Sequence, residues 1–203
     1  MQNLAIAVFG GRGSPTTGQI VHALLERNVR IVAIIVDTKD FGSKNLQIWQ
    51  SRTAGRIPTI DLQDFQVRGI PIHEVDDHNS ESCVNLVRSF GIDLLVNGGT
   101  PRILKHGILH AAPLGVLNVH PGVLPQFRGA TCVEWSIYLD EPIGNTVHVM
   151  TEAIDEGPIV EIERCPVVPG ERYIDVRVNM YMRGYALMAH AVQKILNLSL
   201  IHI

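Results

Sequence analysis

Several things are scarce in this chain, and each shortage excludes a class of protein. Cysteine occurs at Cys83, Cys132 and Cys165, far apart among 203 residues, and no Cys-x-x-Cys is present. That excludes a disulfide scaffold and predicts free thiols in a reducing compartment. Basic residues are outnumbered: Lys and Arg total 17 against 20 Asp and Glu, a net charge of −3. No positive excess exists to hold a nucleic-acid backbone, and the stretch from Arg27 to Arg30 carries only two charges. No run reaches the roughly 18 apolar residues of a membrane helix. The N-terminus lacks a basic leader region and reads as a first strand. We therefore expect a cytoplasmic chain without membrane or nucleic-acid partners. Repeats, low-complexity tracts and linkers are also missing, so residues 1–203 are expected to form one domain. The apolar share is 46%, enough for a core without crosslinks.

The apolar pattern alternates short runs with amphipathic stretches. Leu4 to Phe9 reads as a buried strand ending at Gly10-Gly11, and Thr17 to Arg27 as a helix with Ile20, Val21, Leu24 and Leu25 on one face. Arg30 to Val36 is a second strand, completing a βαβ unit. Residues 38–66 are polar and irregular, with room for a short helix at 46–51. A strand at 69–73, a helix from Ser80 to Phe90, a strand at 92–96, a helix from Pro101 to Ala112 and a strand at 116–120 follow. Strands at 145–150 and 159–165 are separated only by a loop. Tyr173 to Leu196 forms one long helix, with Val176, Tyr181, Leu187, Met188, Val192, Ile195 and Leu196 facing inward. The reading is α/β: a mostly parallel central sheet, helices on both faces and a long C-terminal helix.

Three segments carry candidate chemistry. The first βα turn, GGRGSPTTG over 10–18, can crowd backbone amides round an anion, or can simply make a tight turn. A dinucleotide fingerprint starting at Gly11 would need glycine where Thr16 stands, and a P-loop starting at Gly13 has Gln19 in place of its lysine. In the second segment, LNVHPGVLPQFRG over 117–129, Asn118 and His120 stand two apart on a strand and share a face. An amide beside an imidazole can bind a carbonyl oxygen and move a proton. In the third, GNTVHVMTEAIDEGPI over 144–159, a strand brings His148 and a loop brings Glu152, Asp155 and Glu156. A carboxylate there can orient the imidazole. Alone, Asn118 and His120 also fit a satisfied structural pair, and His148 a hydrogen-bonded strand histidine. His106 and His110 stand four apart with no third ligand nearby in sequence, which reads as surface histidines and no metal site. Trp49 and Trp135 can stack on a ligand, but Trp135 sits on an amphipathic helix and is expected in the core.

Together the second and third segments resemble the folate-dependent formyltransferases, which share Asn-x-His-x-x-x-Leu-Pro, a Thr-Val-His strand and an Asp-x-Gly-Pro loop. The resemblance covers about residues 4 to 165 and implies a Rossmann-like formyltransferase fold. It implies Asn118, His120 and Asp155 as catalytic residues, with His148 in support. Asn118 and a protonated His120 would hold the oxyanion, and Asp155 would orient His120. It further implies a pteridine pocket for 10-formyltetrahydrofolate, formed by Arg102, Ile103 and Leu104 with Glu152, Ala153 and Ile154.

The acceptor divides the resemblance. Gly11, Arg12, Gly13 and Ser14 resemble the phosphate loop of glycinamide ribonucleotide transformylase, although that family has asparagine at the position of Arg12. The expected Gln-Glu-His stretch is replaced by NMYMRGY at 179–185. The Phe127-Arg128-Gly129 and Glu134-Trp135 pairs look closer to the enzymes that formylate nucleotide-linked amino sugars or methionyl-tRNA. A small amine acceptor, either a nucleotide-linked amino sugar or similar to glycinamide ribonucleotide, is the expectation. Hydrolysis of the formyl donor and a non-catalytic nucleotide-binding module are the competing readings.

Overall fold

The computed structural model describes residues 4–201. A seven-stranded sheet forms its centre, with strand order β3-β2-β1-β4-β5-β6-β7. The first βαβ unit is β1 (Ile6–Arg12), α1 (Thr17–Glu26) and β2 (Ile31–Asp40). Next come α2 (Ser43–Thr53), α3 (Leu62–Val67), β3 (Ile72–Val75), α4 (Glu81–Ser89), β4 (Leu94–Asn97), α5 (His106–Leu109) and β5 (Val116–His120). The chain ends with α6 (Cys132–Tyr138), β6 (Ile143–Val149), β7 (Ile159–Cys165) and α7 (Tyr173–Ile201). The pairings among β1 to β5 are parallel, whereas β6 pairs antiparallel with both β5 and β7. The sheet is thus the mostly parallel one that the sequence predicts, with helices on both faces.

Strand periodicity divides the core in two. Ile6 and Val8 of β1 join one cluster with Ile20, Val21 and Leu24 of α1 and Leu187, Met188 and Val192 of α7. Their neighbours Ala7 and Phe9 join the opposite cluster, with Cys83, Val84 and Val87 of α4 and Ile108 and Leu109 of α5. Successive side chains of an extended strand point to opposite faces, so one strand feeds both layers. The seven inward positions expected for α7 all lie against the core clusters.

Three sequence expectations need correction. The segment from Pro101 to Ala112 is not one helix, since only His106–Leu109 is helical. Side chains take the backbone groups a helix would have used: the Lys105 amide donates to Asn79 Oδ1 at 2.7 Å, and Asn79 Nδ2 donates to the Ile103 carbonyl at 3.1 Å. Residues 38–66 hold two helices, α2 and α3. Helix α2 buries little beyond Trp49 and Thr53, which leaves almost no apolar period to read. The core position expected for Trp135 is also not found. Trp135 is 55% exposed, whereas Trp49 is 6% exposed and packs on Tyr181 with ring centroids 4.6 Å apart.

Candidate active site

The carboxyl ends of β4 and β5 bring the polar residues together. Asn97 ends β4, and its Oδ1 accepts from the amides of Gly99 (3.0 Å) and Thr100 (2.9 Å). Its Nδ2 therefore donates, to Asn118 Oδ1 at 2.9 Å. That bond fixes the Asn118 amide, with its nitrogen facing the other way. On β6, opposite Asn118 in register, stands His148. His148 Nδ1 lies 3.1 Å from the Val149 carbonyl, to which only an N–H can donate. Its Nε2 is then free to accept from Asn118 Nδ2 at 3.2 Å. An amide nitrogen carries two hydrogens, so one N–H of Asn118 remains for a ligand.

Asp155 completes the group. Its Oδ1 lies 3.5 Å from His148 Nε2 and its Oδ2 3.3 Å from His120 Nδ1. The Gly129 amide donates to Oδ2 at 2.9 Å. Asp155 has φ +54°, a left-handed conformation uncommon outside glycine. Burial raises its carboxyl pKa, but the neighbouring His148, the bond from the Gly129 amide and the charge of His120 outweigh this, and the carboxyl pKa is lowered. Gly157, two residues on, is packed so closely that an added Cβ would lie 1.7 Å from the Val149 carbonyl oxygen. The Asp-x-Gly-Pro turn therefore requires glycine for close approach.

His120 is buried, and its Nε2 lies 2.8 Å from the Phe127 carbonyl. Burial pulls the imidazole below its ordinary pKa, and Asp155 and Phe127 recover only part of the loss. The lowered pKa favours the neutral ring near pH 7. Both ring nitrogens face acceptors, so the imidazolium is the form that the hydrogen bonds would complete.

Two cavities flank this group. One, of about 180 Å³, is lined by Arg102, Ile103, Leu104, Glu152, Ala153 and Ile154 together with His148, Met150, Thr151 and Asp155. All six residues expected around the pteridine share it. The other, of about 140 Å³, lies under α7 and includes Thr16, Asn97, Asn118, Asn145, Tyr181 and Tyr185. Gly11, Arg12, Gly13 and Ser14 line a third cavity, with Asp61 and Glu74, and Arg12 is paired to Glu74 at 3.1 Å.

The sequence model described as formyl transferase matches residues 4–192. The chain belongs to the formyl transferase family. The methionyl-tRNA formyltransferase of Pseudoalteromonas translucida (strain TAC 125) is 26% identical over 182 residues, covering 81% of this chain and 57% of the relative. The first curated relatives are covered over 40–57% of their own length, so the chain spans about half of them. Among solved structures, glycinamide ribonucleotide transformylase 1 from Symbiobacterium toebii superposes with a TM-score of 0.73 at 21% identity, over 97% of this chain and 90% of that one. A formyltetrahydrofolate deformylase from Pseudomonas syringae pv. tomato str. DC3000 gives 0.70 at 20% identity, over 97% and 62%. At such identities these structures establish the fold of this formyl transferase family member and nothing finer.

Sequence reasoning missed two contacts. Asn97 orients Asn118; the signal was an asparagine at a strand end followed by two glycines, as in an Asx turn. Cys132 Sγ lies 3.4 Å from His120 Nε2, and no local pattern marks that proximity. Asp37, on β2, is buried and gripped by Arg102. Among the described residues, no helix is long and apolar enough to cross a membrane.

Proposed function

We propose that the protein transfers a formyl group from 10-formyltetrahydrofolate to the amine of a small acceptor lacking a phosphate anchor. The observation that carries this reading is the contiguous set Asn118, His148 and Asp155, the first two hydrogen-bonded and the third 3.5 Å from His148 Nε2, with one cavity on the Asn118 side and another on the Asp155 side. In the Asp155-side cavity, Ile103, Leu104, Met150 and Ile154 offer apolar walls for a flat ring, and Glu152 and Asp155 offer acceptors for ring N–H groups. When bound there, the folate supplies the formyl group, and its nitrogen takes back a proton as the C–N bond breaks. The acceptor enters beside Asn118 and its nitrogen bonds to the formyl carbon.

The free N–H of Asn118 stabilises the charge developing on the formyl oxygen. Neutral His120, backed by Asp155, takes the proton released by the attacking amine. Asp155 remains ionised and pairs with the imidazolium so formed.

The phosphate loop is weakened as an acceptor anchor. Arg12 is already committed to Glu74, and Asp61 stands in the same cavity. The cavity beside Asn118 has no Lys, Arg or His in its lining. The test is an assay with 10-formyltetrahydrofolate against unphosphorylated amines, phosphorylated amines, methionyl-tRNA and no acceptor. Formylation of an unphosphorylated small amine is expected, with turnover falling about 100-fold or more in His120→Ala. Transfer confined to methionyl-tRNA or a phosphorylated amine, or formate release without any acceptor, would overturn the proposal.

A further inference from the structure

Three side chains, of which only Glu152 also lines it, meet at the rim of the Asp155-side cavity. His106 opens α5, His110 follows its last residue, and Glu152 lies on the loop between β6 and β7. We propose that His106, His110 and Glu152 form a site for a zinc-class divalent ion that clips α5 to the loop bearing Asp155.

One ligand atom from each residue lies within 4.8 Å of the other two. His106 Nδ1 is 2.7 Å from Glu152 Oε1, and the two imidazole centroids are 4.3 Å apart. A tetrahedral ion about 2.1 Å from its ligands separates them by about 3.4 Å, so closure needs a movement of up to about 1.4 Å from exposed side chains. His110 is already oriented. Its Nδ1 lies 2.9 Å from the His106 carbonyl and must donate, which leaves the Nε2 lone pair for a metal. Metal-bound histidines keep such an outer bond on the second nitrogen.

The platform is also fixed on both sides. Asn79 bonds the Lys105 amide and the Ile103 carbonyl ahead of α5. The loop is tied at its base by the Val149 amide to the Pro158 carbonyl at 2.9 Å. Two imidazoles and one carboxylate suit zinc, cobalt or nickel, whereas magnesium and calcium prefer oxygen alone. Three protein ligands leave a position for water. The other exposed His–Glu pairs, His22 with Glu26 and His190 with Glu161, supply two ligands each. Among the described residues, no other cluster of three was found.

The test is titration of the full chain with ZnCl2 by calorimetry, beside His110→Ala, Glu152→Gln and a His22→Ala control. One ion per chain is expected, with affinity about 10-fold or more weaker in the first two variants and unchanged in the control. Zinc should slow amide hydrogen exchange across 151–157 in the parent and leave it unchanged in Glu152→Gln. Equal affinity in the parent and His110→Ala would overturn the proposal. So would a thiolate charge-transfer band on CoCl2 addition, which would assign binding to cysteine.

Discussion

His120 is surrounded by acceptors yet held neutral by burial, and that opposition determines its pH behaviour. Its lowered pKa places the acidic limb of kcat/KM below the ordinary imidazole value of about 6.5. Asp155 is the charge that most supports the protonated ring. In Asp155→Asn the limb should therefore move to still lower pH while the plateau rate falls. A limb that stays in place, or moves upward, would uncouple Asp155 from His120. At this scale the sequence was informative where the backbone does the positioning: Asn118 and His120 share a face because a strand repeats every two residues. It was silent where contacts cross the fold. Asn97 reaches Asn118 from the neighbouring strand, and Cys132 meets His120 from the start of α6.

The loop between β6 and β7 works as one element, since its base is closed at Gly157 before its tip places Asp155. Gly157→Ala would push a methyl group into the Val149 carbonyl, with 1.7 Å between Cβ and oxygen. We expect a loss of about 1–3 kcal/mol, typical of forcing a group into packed surroundings. Turnover should fall with it, because Asp155 moves. Gly13→Ala provides the contrast. There φ is +72° and the nearest neighbour of an added Cβ is Asp40 Oδ1 at 3.5 Å, so only backbone strain is added. Melting curves and turnover of the two variants check this: a Gly157→Ala protein as active as the parent would remove the loop's positioning role. Elements rich in apolar residues, such as β1, α1 and α7, were legible. Those with little apolar surface or held by side-chain bonds were not: α5 is cut short by Asn79, and α2 buries only Trp49 and Thr53.

Across the whole molecule, the carboxyl ends of three strands are clamped by one buried carboxylate. Asp37 lies on β2; the His78 amide, from the segment after β3, donates to it at 2.9 Å. Arg102, from the segment after β4, grips it through Nε at 2.5 Å and a second nitrogen at 3.1 Å. The same guanidinium reaches the Asp76 carbonyl at 2.6 Å and Asp77 at 3.1 Å. Burial alone would raise the Asp37 pKa, but Arg102 and the amides of His78 and Lys39 reverse this, and the folded value is lowered. A carboxyl lowered on folding contributes stability that is present above its unfolded pKa of about 3.9 and is lost as pH falls through the folded value. Arg102→Ala leaves the carboxylate buried without its main partner, so burial then dominates. The variant should unfold at lower urea than the parent at pH 7. The gap should narrow as pH drops below about 4, where protonation removes the charge that needed compensation. Measurements on the free protein keep this effect apart from any change in donor binding, because Arg102 also borders the Asp155-side cavity. A urea gap that is the same at pH 7 and pH 3.5 would mean that the guanidinium acts by packing alone, and that the strand ends are not held by charge.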